Sequence, residues 1–166
     1  MKIIGINAFH ADSSACILVD GKLIAAVEEE RFNRIKHWAG FPIESIKYCL
    51  EETNLTISDI DQISINIDPK ANFLEKFIFL IKHRPSFNLI LNRFKKKKKY
   101  NSIKEIINNE FTEDKFEGKI NNIEHHHAHL SSAFHVSPFE EASLLSVDGF
   151  GDFASTAWGY GRNTDI

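Results

Sequence analysis

Lys2-Ile-Ile-Gly-Ile-Asn7-Ala-Phe-His10-Ala-Asp12-Ser13-Ser14-Ala-Cys16-Ile-Leu-Val19-Asp20-Gly21-Lys22-Leu-Ile-Ala-Ala-Val27 opens the chain with three short β-rich runs. Lys2–Asn7 is apolar and reads as a central strand. Gly5 within it lets another backbone or a ligand come close. Ala8 to Ser14 is a polar turn, Ala15–Val19 a second strand and Lys22–Val27 a third. Asp20-Gly21 between the last two is a hairpin turn, because both central positions of the favoured two-residue loops need positive φ.

Far downstream the layout recurs. Ala142–Asp148 is an apolar run that reads as a buried strand, Gly149-Phe-Gly151-Asp152 as a tight turn, and Ala154–Tyr160 as the returning strand. Two copies of strand, Asp-containing turn and strand predict an α/β chain of the ribonuclease-H-like (ASKHA or actin-like) class. Such a fold is a mixed sheet with flanking helices, here with its second half incomplete. The opening pattern also fits any β-meander that starts with a hairpin. The expected division is residues 1–140 as the first half, a helical insertion at about 70–118, and 141–166 as the start of the second half.

Glu124-His125-His126-His127-Ala128-His129 precedes the second strand pair and holds four of the chain's eight histidines. On a helix His125 and His129 are one turn apart on one face. Neutral imidazoles at that spacing can reach one ion. Asp148, at the end of its strand, would add a carboxylate. Two His and one Asp with positions left open suit catalytic zinc or non-haem iron. An i, i+4 His pair also occurs as surface polarity. His126, His127 and His135 read either as residues that support the ligands from behind or as merely polar, and are not assigned as ligands. The Gly149–Gly151 turn can bring backbone N–H groups to an anion.

The chain has 166 residues, 43% apolar and 26% charged, which is ordinary for a globular domain with a real core. A net charge of −3 does not favour nucleic acid. No apolar run reaches the roughly 18 residues of a membrane span. Cys16 and Cys49 form no CxxC pair and read as small buried hydrophobes, which fits a reducing, cytoplasmic setting. Glu28–His37 is dense in charge; it reads as a solvated turn, or as a cationic wall of Arg31, Arg34, Lys36 and His37 facing a phosphate or sugar. Helices are predicted over Ile43–Asn54, Phe73–Ile81, Phe87–Phe94, from Ser102 to about Phe111, and over His126–Val136. Strands are predicted at Gln62–Ile67 and Ile120–Glu124, and Thr112–Gly118 is a polar connector. Lys95–Lys99 reads as a solvated helix end, or as a membrane-surface patch beside Phe77, Phe79, Phe87 and Phe94.

Four blocks in order resemble the O-carbamoyltransferase family of nodulation-factor and antibiotic biosynthesis. They are Gly5-Ile-Asn-Ala-Phe-His-Ala-Asp-Ser-Ser-Ala-Cys16, Ala25-Ala-Val-Glu-Glu-Glu-Arg-Phe-Asn-Arg-Ile-Lys-His-Trp-Ala-Gly-Phe-Pro42, Glu124-His-His-His-Ala-His-Leu-Ser-Ser-Ala-Phe134 and Ser146-Val-Asp-Gly-Phe-Gly-Asp152. Residues from about 60 to 120 carry no diagnostic motif.

The resemblance implies O-carbamoyl transfer from carbamoyl adenylate, itself made from carbamoyl phosphate and ATP, to a hydroxyl of a sugar-like or natural-product acceptor. It implies a divalent metal, usually iron, with zinc equally suited to the donors, held by His125, His129 and Asp148 and by a further Asp beyond residue 166. It makes His10 the general base and places Lys36, His37 and Asp12 at the acceptor. Asp148, Gly149 and Gly151 lie at the carbamoyl adenylate. The family's adenylate-forming domain has no counterpart here. The chain is therefore expected to be inactive alone, as a truncated product, a fragment, or one piece of a split enzyme that needs a complementary chain. A non-catalytic metal-binding module acting as a partner or regulator is the competing reading. A sugar kinase-like enzyme would leave the histidine cluster without a task.

Overall fold

The computed structural model describes residues 1–83 and 102–166. These fall into two compact units, residues 1–65 with 102–121, and 66–83 with 122–166. The histidine helix belongs to the same unit as the hairpin that follows it. The expected Phe87–Phe94 helix and the Lys95–Lys99 run lie outside the described residues.

The first unit is built on β1 (Lys2–Asn7), β2 (Ser14–Val19), β3 (Lys22–Glu28), β4 (Gln62–Ile65) and β5 (Lys119–Asn122), in the order β3-β2-β1-β4-β5. β1 to β3 form an antiparallel meander, and β4 runs parallel to β1. A parallel neighbour needs a crossover. α2 (Ile43–Thr53) lies on that crossover, after the one-turn α1 (Glu30–Asn33), and packs on β2 and β3. The β1–β3 meander with a parallel fourth strand is the mixed α/β, ribonuclease-H-like order. At the hairpin, Asp20 and Gly21 both take positive φ, 51° and 79°.

The alternation along each strand sorts residues by face. Ile4, Ile6, Ala15, Ile17, Ile63 and Ile65 point to one core, where Ile46, Cys49 and Leu50 of α2 and Ile103 and Ile107 of α4 (Ile103–Glu110) join them. Gly5 faces Cys16 across the ladder, and a Cβ on it would lie 2.9 Å from the Cys16 sulfur. The close approach anticipated at Gly5 is therefore taken by that sulfur. Burial pushes the Cys49 thiol up to about 12 and also raises Cys16, as for small apolar fillers. Thr112–Gly118 is not wholly a polar connector: Phe116 within it is fully buried, and Asn108 Oδ1 accepts from its N–H at 2.8 Å.

The charged stretch Glu28–His37 contains α1, and it hides a structural carboxylate. Glu29 is buried, 5% exposed. Its Oε1 accepts from Glu44 N (3.2 Å), and its Oε2 from Ser45 N (2.9 Å) and Ser45 Oγ (2.8 Å). These amides belong to the first turn of α2, which have no partner within the helix. Pro42 just before the helix offers no side-chain cap, so a carboxylate from an earlier element supplies the acceptor and meets the positive end of the helix dipole.

The second unit holds α3 (Phe73–His83), α5 (His125–Phe134), β6 (Glu141–Gly151) and β7 (Ala154–Arg162), the last two an antiparallel pair. β6 is not buried on both faces as its composition predicts. Leu144 and Ser146 turn toward α5, whereas Leu145 and Val147 are 70% and 74% exposed. Among the described residues β6 pairs with β7 alone, and one helix covers one of its faces. The expected turn over Gly149–Asp152 also shifts. Pairing resumes at Gly151↔Ala154 after an irregularity, and the turn is Asp152-Phe153, both at positive φ.

Glu29→Ala removes an acceptor from three donors at once. It is expected to destabilise the protein by about 2–3 kcal/mol in urea unfolding, with Glu29→Gln, which keeps one acceptor oxygen, losing less.

Candidate metal centre

The second unit builds a three-donor cluster from α5 and β6. α5 starts at His125 because two carboxylates occupy its N-terminus. Glu124 at the cap accepts from His127 N at 2.6 Å, and Asp152 Oδ2 accepts from His125 N at 3.0 Å. Asp152 also accepts from Asp68 N at 2.7 Å, while Asn72 Nδ2 donates to its carbonyl at 2.9 Å. Burial raises the Asp152 carboxyl above its usual range. These bonds support its positive φ of 45°, and Phe153 beside it is held edge-on to Phe79 and Phe150 at 5.4 and 5.6 Å.

Glycine lets α5 lie directly on the hairpin. A Cβ at Gly151 would sit 2.0 Å from His125 Cδ2, and one at Gly161 2.8 Å from the Phe134 ring. The first spacing is far inside van der Waals contact, so the His125 ring rests on bare backbone.

With α5 seated there, His125 and His129 converge on Asp148. His125 Nε2 lies 2.7 Å from Asp148 Oδ2, His129 Nε2 3.3 Å from the same oxygen, and the two Nε2 atoms are 3.1 Å apart. Asp148 Oδ1 accepts from Gly149 N at 2.6 Å. The hydrogen bond from His125, then the Gly149 N–H, hold the Asp148 carboxyl well below the usual carboxylate range. His125 is buried, while His129 and Asp148 are partly open, so the cluster has a closed side and an accessible side.

The donors fit a small divalent ion. Bonds of about 2.0–2.2 Å place neighbouring ligand atoms roughly 3.0 Å apart at right angles and about 3.4 Å apart at a tetrahedral angle. The three separations of 2.7, 3.1 and 3.3 Å are close to that range. Two imidazole nitrogens that both face one carboxylate oxygen leave a lone pair pointing at the centre, which suits a cation. Among the described residues these three form the grouping of such donors.

The remaining anticipated residues fall as follows. Gly149 and Gly151 lie in β6 rather than in a turn, and the Gly149 N–H is engaged by Asp148. His10, Asp12, Lys36 and His37 are all exposed and belong to two loops of the first unit. Those loops are knit together: Phe9 N and Ser13 Oγ donate to Gly40 O at 2.9 and 2.8 Å, and Ser13 N to Trp38 O at 3.0 Å. Asn7 Nδ2 donates to the Ala11 and Asp12 carbonyls, both at 3.0 Å. His37 Nδ1 meets Asp12 Oδ1 at 2.9 Å, with both residues at positive φ. The structure thus joins Asp12 to His37, and His125 and His129 to Asp148.

Sequence reasoning does not single out Glu29, Asp152 or Ser146, and it leaves His126 open between a residue supporting the ligands and a merely polar one. For Ser146 the signal was its position two residues before Asp148, on the same face of an apolar strand; for Asp152, a lone carboxylate following Gly-Phe-Gly.

The carbamoyltransferase N-terminus family model matches residues 2–165. The chain belongs to the carbamoyltransferase family. This carbamoyltransferase N-terminal region is 36% identical over 161 residues to "Nodulation protein NolNO" of Sinorhizobium fredii, covering 96% of the chain and 22% of that protein. It is 34% identical over 174 residues to "Uncharacterized protein sll1178" of Synechocystis, covering 99% of the chain and 28% of that protein. The chain thus spans about a quarter of the length of these relatives. Among solved structures, "YeaZ from Pseudomonas aeruginosa" matches with a TM-score of 0.48 and 9% identity, over 96% of the chain and 59% of that protein.

Gly151→Ala is expected to push the His125 ring off Asp148 and to weaken binding of added zinc at least ten-fold by chelator competition, while Gly149→Ala, with open space around its Cβ, leaves it within about three-fold.

Proposed function

We propose that this carbamoyltransferase region serves O-carbamoyl transfer from carbamoyl adenylate to a hydroxyl of a sugar-like or natural-product acceptor, with His125, His129 and Asp148 holding a divalent metal, iron or zinc. The observation that carries the reading is the convergence of those three donors in a chain of this family. The matched relatives are about four times longer than this chain, and formation of the adenylate from ATP and carbamoyl phosphate is assigned to no residue described here.

In the proposed step the acceptor oxygen attacks the carbamoyl carbon, a C–O bond forms, and the bond from that carbon to the phosphate oxygen of the adenylate breaks, releasing AMP. A divalent ion would supply positive charge for the phosphate and carbonyl oxygens as negative charge builds on them. His10 takes the proton of the attacking hydroxyl; such help is worth roughly 10²–10⁴-fold. His10 suits the task because it is exposed on a loop tied down by backbone bonds, with its carbonyl accepting from Ser13 Oγ at 3.1 Å. The Asp12–His37 pair fixes the neighbouring imidazole, and Lys36 beside it offers a cation to an oxygen-rich acceptor. No helix among the described residues is long and apolar enough to cross a membrane. The free thiols Cys16 and Cys49 support a reducing, cytoplasmic setting.

Elemental analysis of the purified chain should find near-stoichiometric iron or zinc that is lost in a His125→Ala/His129→Ala double variant; equal content in both sinks the assignment of the donors. Within the full-length protein, supplied carbamoyl adenylate and a sugar acceptor should yield AMP and carbamoylated product, with His10→Asn slowing transfer about 10²–10⁴-fold and leaving metal content unchanged. Metal without any transfer would favour the reading as a non-catalytic metal-binding module.

A further inference from the structure

One polar contact beneath the donor cluster has no part in the proposed chemistry. His126 is 1% exposed and Ser146 is 7% exposed, and His126 Nδ1 lies 2.9 Å from Ser146 Oγ. Both are buried polar groups, and Ser146 is the one buried residue of β6. His126 Nε2 is buried without a hydrogen-bond partner among the described residues. That makes the ring a poor choice for packing alone. A leucine or phenylalanine would fill similar space without leaving a buried nitrogen unmet.

Position explains its use. Ser146 and Asp148 are two residues apart on β6 and share one face. His126 adjoins His125 on α5, with ring centroids 5.4 Å from His125 and 6.0 Å from His129. The pair therefore ties the helix to the strand one step before the donors meet. Apolar side chains tolerate sliding of a helix along a strand, whereas a hydrogen bond has one short distance and one direction. Sliding α5 along β6 by one strand residue, roughly 3.3 Å, would carry both imidazoles out of reach of Asp148. His126 is not itself among the three clustered donors.

We propose that the Ser146–His126 hydrogen bond fixes the register of α5 on β6 and so positions His125 and His129 on Asp148, making His126 a positioning residue rather than a ligand. Its value for metal binding rests on the reading of that cluster as a metal site; its effect on the His125–Asp148 contact does not.

The test uses two readouts on the purified chain: zinc affinity by chelator competition, and the imidazole N–H signals of the metal-free protein by NMR. Ser146→Ala and Ser146→Val should weaken zinc about ten-fold and abolish the hydrogen-bonded His125 proton signal, while Ser146→Thr, matched in shape to Val but bearing a hydroxyl, should keep both. His126→Leu should behave like Ser146→Ala, with thermal unfolding of the metal-free variants showing that each is folded. Wild-type affinity and an unchanged His125 signal in Ser146→Ala or His126→Leu would overturn the proposal. If the wild-type chain takes up no zinc, the metal reading of the cluster fails, and the His125 signal still decides the register: lost in Ser146→Ala it supports the pair's role, retained it refutes it.

Discussion

The second unit depends on how closely α5 approaches the β6–β7 hairpin. The 2.7 Å contact from His125 Nε2 to Asp148 Oδ2 exists because the imidazole rests where a Cβ of Gly151 would be. Gly161 opens a second notch under Phe134, and Gly159 passes Leu130 at 3.3 Å from its virtual Cβ. A helix seated on side chains would stand off from the strand, and two imidazoles of ordinary length would not reach one carboxylate. Glycine in a strand costs conformational entropy. Here that cost is offset by close packing and by the donor geometry that packing permits.

Around this seat the polar groups are arranged so that few are left over. Asp152 ends β6 in a left-handed conformation and takes the N–H of His125, and the N–H of Asp68 as well. Glu124 takes that of His127. The N-terminus of α5 thus presents negative charge to the positive end of its own dipole, and its starting point is held from two sides. The first unit solves a similar problem differently. There Glu29 reaches from the start of α1 to the first turn of α2, so the charged stretch after β3 serves the fold as well as any ligand.

Membership of the carbamoyltransferase family and the three-donor cluster support one another from separate directions. The family match is a property of the whole run of residues 2–165. The cluster is a property of three side-chain atoms whose spacing suits an ion. Acidic and imidazole groups do gather on protein surfaces without metal, but here one histidine is buried and both present the same ring nitrogen to one oxygen. In the first unit, the loops carrying His10, Asp12, Lys36 and His37 are braced by backbone bonds, by the Asn7 and Ser13 side chains and by the Asp12–His37 contact, and all four residues stay exposed.

Local pattern determined the strands β1 to β3, the Asp20-Gly21 hairpin, the helices α2 and α5, and the pairing of β6 with β7. These are local: alternation, turn chemistry and one-turn spacing follow from backbone geometry. The same spacing brought His125 and His129 to one face, and Asp148 to the end of its strand. Other features needed distant residues to meet. The carboxylate of Glu29 closes a helix fifteen residues on, which no local pattern encodes. Phe116 sits in a polar stretch and is buried because α4 and Asn108 receive it. The turn at Asp152-Phe153, rather than at Gly149–Gly151, follows from strand pairing and from bonds to Asp68 and Asn72. Composition marked β6 as buried, yet Leu145 and Val147 are open because burial depends on what packs against a strand. Gly151 was legible as a glycine of a turn; that its missing Cβ makes room for the His125 ring was decided only by helix and strand coming together.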